Sequence, residues 1–313
     1  MVRSPFAADT FYDPAGVVVV SSPDGHDTES MAGIGSLPGV VIAIDREDST
    51  SLAWADVIAE DGVATVDDIL RGVTANPVAA TSLVLLLRSL PASRDDGLIA
   101  ESAVYSALQS GTEFAAWRAA GGIRPERSEA GPTVRVERDG EVLVLTLDRP
   151  QVRNAFNRAM RDELLAAFTI SLADPSVSSV VLRGEGPSFC SGGDLSEFGR
   201  AADPASAHLL RLATSVGRPM ELLGQRLLAH VHGPCAGSGV ELPAFAARVE
   251  AENDFTCVLP EVGMGLIPGA GGTVSITGRI GRHRTALLAL TGATIDAVTA
   301  RQWGMVDDVV PGR

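Results

Sequence analysis

Apolar positions change their spacing three times along this chain. Val17–Val20 and Val40–Ile44 are short continuous apolar runs separated by Ser, Pro, Gly and Asp, which predicts two strands of a small α/β unit over residues 1–62. From Thr65 the spacing becomes helical, with Val66, Ile69, Leu70 and Val73 on one face and Thr65 and Asp68 forming a helix-start pattern. Asn76-Pro77 opens a second helix that ends before Pro91, and its run Leu83–Leu87 is too apolar for a free surface. Leu98–Leu108 and Thr112–Trp117 give two further helices. This helical region, residues 63–120, therefore requires a partner surface. Residues 121–132, GGIRPERSEAGP, read as a flexible linker.

Strands and helices alternate from residue 133 to residue 313. Thr133–Val136 and Val142–Leu147 predict a hairpin turning at Asp139-Gly140. Asn157–Ala173 is an amphipathic helix, Ser179–Leu182 a buried strand, Gly184–Gly193 a glycine-punctuated loop, and His208–Arg226 a helix. The strand Leu227–Val231 is broken by Gly233, Pro234, Gly237 and Gly239, and Val240–Val249 then has helical spacing. Glu241 falls in the opening turn of that helix, where Pro243 is tolerated because no amide hydrogen is needed there. Glu261 follows Pro260 at the head of a second glycine-broken loop, 20 residues beyond Glu241. Two carboxylates can thus face one substrate. Gly271–Ile280, Arg284–Leu290 and Asp296–Trp303 read as helices and Val306–Val310 as a strand, completing an α/β layered fold.

Composition narrows the function classes. The 313 residues are 45% hydrophobic, 20% charged and 4% aromatic, a globular profile tilted to small aliphatics. A net charge of −14 argues against general nucleic-acid binding. With no lysine in the chain, an anionic ligand must be met by arginines or backbone amides. Cys190, Cys235 and Cys257 lack metal-ligand spacing and suit free thiols in a reducing compartment. No N-terminal apolar segment reads as a leader, and no apolar run reaches the roughly eighteen residues of a membrane span. The expectation is a cytoplasmic protein without a membrane partner. Asp24 and His26 stand in a solvated turn, and His230 and His232 share one side of a strand without a third ligand at zinc-like spacing, so no metal is expected. Ala236-Gly237-Ser238-Gly239 is one residue short of a nucleophile elbow.

Four strings in order, DRPQVRNAF (148–156), PSFCSGGDL (187–195), HGPCAGSGVEL (232–242) and PEVGMGLIPGAGGT (260–273), resemble the crotonase superfamily in its enoyl-CoA hydratase and isomerase branch. The resemblance covers about residues 133 to 311. It implies an α/β spiral fold of repeated ββα units with a helical trimerisation region, and a homotrimer or a hexamer built as a dimer of trimers. It also implies an acyl-CoA thioester substrate, with no cofactor beyond the coenzyme A that the substrate carries. Carried over residue by residue, it makes Glu241 and Glu261 the catalytic pair and the backbone N–H groups of Gly193 and Ser238 the oxyanion hole. Arg153, Ala155, Gly193, Asp194, Leu195 and Ser196 become coenzyme A contacts, with Arg149 and Arg153 as candidate phosphate ligands. The family usually has glycine where this chain has Ser238, a change that keeps the amide donor but alters the room beside the thioester.

Adding water to an α,β-unsaturated thioester places negative charge on the carbonyl oxygen while a proton moves to Cα, so the site needs an oxyanion hole and acid/base groups. Two close carboxyls cannot both ionise freely and share a proton. We assign Glu241 to the water and Glu261 to proton delivery, with the positive end of the helix after Ser238 favouring the enolate. The alternatives are enoyl-CoA isomerisation, or other acyl-CoA enolate chemistry, with Glu261 working alone, and a catalytically degenerate assembly subunit. Members of this family continue past the segment resembling Ala300–Val310 into helices that cover the active site and mediate trimer contacts. Here helices of that texture, NPVAATSLVLLLRSL and LIAESAVYSALQSGTEFAAW, precede the core. The expectation is a circular permutation in which residues 121–132 join the moved helices to the first core strand and residues 65–117 dock near Leu290–Val310. An unrelated helical extension and the remnant of a fused first copy are the alternatives.

Overall fold

The structure, a computed structural model, describes residues 16–21, 38–44, 52–60, 62–122, 131–200 and 203–312. Asp24, His26 and residues 123–130 of the expected linker lie outside them. Strands β1 (Val17–Ser21), β2 (Val40–Ile44) and β3 (Val57–Ile58) form a small parallel sheet in that order. Helices α1 (Val66–Ala75), α2 (Pro77–Arg88), α3 (Arg94–Gln109) and α4 (Thr112–Trp117) follow. Local chemistry sets most of their starts. Thr65 Oγ1 accepts the Asp68 N–H at 3.2 Å while Asp68 takes the Thr65 N–H at 2.9 Å, Pro77 opens α2, and Ser93 Oγ caps Asp96.

The rest of the chain runs β4 (Val134–Asp139), β5 (Val142–Leu147), α5 (Arg158–Ala173), β6 (Ser179–Gly184), α6 (Pro204–Ala213), α7 (Gly217–Leu223), β7 (Leu227–Val231) and β8 (Pro234–Ala236). Then come α8 (Ser238–Glu241), β9 (Arg248–Glu252), β10 (Thr256–Val258), α9 (Gly272–Thr291), β11 (Ile295–Asp296), α10 (Ala297–Trp303) and β12 (Asp308–Val310). The main sheet has the order β12-β9-β7-β6-β5-β4, parallel except for the β4–β5 hairpin, and β11-β10-β8 forms a second sheet. This is the α/β fold with mixed sheets that the resemblance implied.

Two expected helices are corrected. Val240–Val249 is not one helix: α8 is a single turn, Pro243–Phe245 is a 3-10 turn, and Arg248–Glu252 is strand β9. Val249 and Ala251 are buried while Arg248 is exposed, a two-residue period, and β9 is paired on both sides by β7 and β12. His208–Arg226 divides into α6 and α7, so that Pro219 falls in a first turn rather than a helix interior. Gly281, non-helical at φ 77° and ψ 164°, kinks α9 between the two helical stretches that were expected.

The N-terminal helices lie against α9 of the same chain. Gly72 crosses the backbone there so closely that a Cβ would sit 1.8 Å from the Leu290 carbonyl oxygen. Glu60 accepts the Trp303 indole N–H at 2.9 Å and pairs with Arg284 at 3.3 Å. Ile69, Val73, Leu83 and Leu98 belong to one buried cluster with Val274, Leu287 and Leu290.

Candidate active site

Glu241 and Glu261 reach one place by different routes. After β8 the chain turns at Gly237, with φ 47° and ψ −118°, a conformation suited to glycine, and α8 carries Glu241 into the interior. Glu261 follows Pro260 and precedes a 3-10 turn that Gly265 closes at φ 74°. Only 2% of Glu241 and 7% of Glu261 is exposed. A Cβ on Gly237 would lie 2.4 Å from Glu261 Oε1 and 3.9 Å from Glu241 Oε1, so both carboxyls face the same point.

Their surroundings differ. Glu241 Oε2 accepts the N–H groups of Ala270 at 2.7 Å and Gly272 at 2.9 Å, at the start of α9. Among the described residues, buried Glu261 Oε2 has no hydrogen-bond partner. Burial pushes Glu241 well above the usual carboxylate range, reinforced by the charges of Glu261 and Glu101 and opposed by the two amides. Burial pushes Glu261 up to about 8. Amide donation favours the charged form and an orphaned buried oxygen disfavours it, so hydrogen bonding favours charge on Glu241 over Glu261, while burial and the charges of Glu261 and Glu101 act against it.

The loops that carry the proposed oxyanion donors pack against each other. Ala236 N–H donates to the Cys190 carbonyl at 3.3 Å, and a Cβ on Gly239 would sit 2.0 Å from that same oxygen. Among the described residues neither the Gly193 nor the Ser238 N–H has an acceptor. The Ser238 hydroxyl lies 3.9 Å from Cys190 Sγ. Because α8 is one turn long, the longer helix whose positive end meets Glu241 is α9 rather than the one expected after Ser238. Ser238→Gly is expected to stay active, whereas Ser238→Pro, folded by circular dichroism but lacking the N–H, loses about 10²–10³-fold in kcat. A folded, inactive glycine variant would make the hydroxyl the working group.

Among the coenzyme A candidates, Arg153 is exposed and adopts a left-handed conformation with Asn154, at φ 52° and 53°. The expectation for Arg149 is corrected. Its side chain is buried and paired with Asp194 at 3.0 Å, and it donates to the Ala155 carbonyl, so it braces two loops instead of facing a phosphate. Asp194 also accepts the Ser196 N–H at 3.0 Å, and Leu195 is half-buried beside it. His230 pairs with Glu250 at 3.2 Å and His232 meets the Gly186 carbonyl at 2.8 Å.

One buried carboxylate was missed. Glu101 of α3 is 2% exposed and accepts N–H groups of Gly271 and Thr273 at 2.7 and 2.9 Å. The signal was present, since Leu98, Glu101, Tyr105 and Leu108 share helical spacing and put a charge on an apolar stripe. What could not be read was its partner, 170 residues further along.

Residues 137–313 match the enoyl-CoA hydratase/isomerase family. The chain is 34% identical over 176 residues to the 2,3-dehydroadipyl-CoA hydratase of Escherichia coli, covering 56% of this chain and 68% of that protein. It is 36% identical over 178 residues to the mevalonyl-coenzyme A hydratase of Beauveria bassiana, covering 54% of this chain and 64% of that one. Among solved structures, an enoyl-CoA hydratase subunit I of Geobacillus kaustophilus superposes with a TM-score of 0.53 at 32% identity, over 57% of this chain and 69% of that chain. Pseudomonas aeruginosa AtuE gives 0.54 at 34% identity, over 57% and 70%. The chain thus spans about two thirds of the relatives' length, 64% and 68% in the two hydratases. By matched motifs, fold and identity alike, it belongs to the enoyl-CoA hydratase/isomerase family.

Proposed function

We propose that this enoyl-CoA hydratase-like enzyme, a lyase, adds water to a 2-enoyl-CoA thioester, with Glu241 activating the water and Glu261 delivering the proton to Cα. The observation that carries the reading is the unequal support of the buried pair: two amides hold the charge of Glu241, and Glu261 Oε2 has none. The thioester oxygen lies against the Gly193 and Ser238 amides. Glu241 takes a proton from water as its oxygen bonds to Cβ, the double-bond electrons move toward the carbonyl oxygen, and the proton of Glu261 completes the product at Cα. The pair holds one proton before and after turnover, so the addition needs no other reagent.

Beside Glu101, a cavity of about 80 Å³ bounded by Leu98, Phe156, Arg211, Val216 and Ala270 takes the acyl end in this reading. Its size favours short chains. Arg153 meets a coenzyme A phosphate, Gly193 to Ser196 line the pantetheine path, and residues 63–120 serve as the cover of the site. The assembly is a homotrimer or a dimer of trimers. Hydration of crotonyl-CoA, followed as loss of enoyl absorbance, tests the activity. Isomerisation of a 3-enoyl-CoA without any hydration would replace this reading with the one in which Glu261 works alone.

A further inference from the structure

Four consecutive amides at the start of α9 are divided between two buried carboxylates. Ala270 and Gly272 donate to Glu241 Oε2, at 2.7 and 2.9 Å. Gly271 and Thr273 donate to Glu101, at 2.7 and 2.9 Å, and the Thr273 hydroxyl adds a third bond at 2.7 Å. Neighbouring peptide planes therefore face opposite sides. Gly271 makes this possible at φ 102°, where a Cβ would strike the Phe245 ring at 2.5 Å. At Gly272 a Cβ would strike Glu241 Cγ at 2.7 Å. The loop has one shape that serves both acids, and each acid holds the amides the other leaves.

Glu101 comes from α3, outside the residues that match the family. A buried carboxylate is costly unless its partners require charge, and three donors converge on this one. We propose that Glu101 is a positioning residue of the catalytic site: by gripping Gly271 and Thr273 it fixes the loop whose alternate amides orient and charge Glu241. The proposal rests on the reading of Glu241 as the group that activates water.

The groups facing this cluster set the expected pH behaviour. Arg211 of α6, Tyr105 of α3, Glu241 and Glu261 surround Glu101, and Cys190 lies near Glu241. Burial pushes Glu101 up to about 7, opposed by Thr273, Gly271 and Arg211; once charged it raises both Glu241 and Glu261, so removing it lowers both. Both limbs of the kcat–pH profile then move to lower pH in Glu101→Gln.

The test uses the full chain with Glu101→Gln, Glu101→Asp, Glu241→Gln and the Glu101→Gln/Glu241→Gln double variant, assayed with crotonyl-CoA. Glu101→Gln is expected to lower kcat by about 10²-fold with KM changed less than about threefold, because the base Glu241 is misplaced rather than the substrate lost. Glu101→Asp keeps the charge but shortens the reach, so kcat falls while the pH limbs stay. The double variant is no slower than Glu241→Gln, since one residue acts through the other. Hydrogen exchange at Gly271–Thr273 quickens in Glu101→Gln without global unfolding. A variant with a lower thermal midpoint but wild-type kcat and pH limbs would mark Glu101 as merely structural and overturn the proposal. Retained activity in Glu241→Gln would instead remove the catalytic reading. Exchange at Gly271–Thr273 stands apart from that outcome, and unchanged exchange in Glu101→Gln overturns the grip itself.

Discussion

Glutamine at position 261 or 241 is expected to lower turnover by about 10²–10⁴-fold while acyl-CoA affinity stays close to that of the wild type. In the proposed mechanism each carboxyl acts on a proton in flight, so its loss removes transition-state stabilisation and leaves ground-state contacts in place. Single-turnover hydration and calorimetric acyl-CoA binding separate the two quantities. A variant keeping more than about a tenth of the wild-type rate would remove that residue from the mechanism. The pH profile carries the same signature. Glu261, pushed up to about 8 by burial, must be protonated to serve Cα, so the rate falls as pH rises through that value. In the proposed mechanism the rate falls on the acid side as Glu241, itself raised by burial and opposed by the Ala270 and Gly272 amides, takes up a proton. Stability moves in step: between the ordinary 4.5 and about 8 the folded chain keeps a proton that the unfolded chain releases, so the fold weakens as pH rises.

Removing residues 1–120 is expected to give insoluble or unfolded protein without hydratase activity. Ile69, Val73, Leu83 and Leu87 are each at most 4% exposed and share a core with Val274, Leu287 and Leu290. Burying one such side chain contributes about 1.5–3 kcal/mol, and an entire domain is stable by about 5–15 kcal/mol. A few of these contacts therefore match the whole margin, and their loss also exposes a contiguous apolar face. The cut further strips Glu101 from the Gly271 and Thr273 amides. Solubility, circular dichroism and crotonyl-CoA turnover of the truncated chain decide the matter. A soluble, fully active truncation would make the N-terminal region an independent appendage.

Much of the fold was legible because its signals are local. The capping pair Thr65 and Asp68, Pro77 at the head of α2, the six-residue run Val142–Leu147 and the N-cap Asn157 each act within a few residues of the element they start or fill. Such effects survive in the isolated sequence. Glu241 and Glu261 could be singled out for a related reason, since each stands beside glycines whose turns are written in the chain itself.

Tertiary structure decided what depends on distant partners. Arg248–Glu252 has the composition of a helix end, yet pairing with β7 and β12 on either side made it a strand. Arg149 looked like a phosphate ligand until Asp194, a buried partner 45 residues away, claimed its guanidinium. Glu101 carried no visible purpose, because the amides it holds belong to a loop 170 and 172 residues further on. The unequal hydrogen-bonding support of Glu241 and Glu261 likewise came from Ala270 and Gly272, not from either glutamate's own neighbours. Residue type and spacing state which groups a segment can offer. Burial and long-range hydrogen bonding determine which of them are charged, held and turned toward one point, because desolvation and partner geometry exist only once the chain has closed on itself.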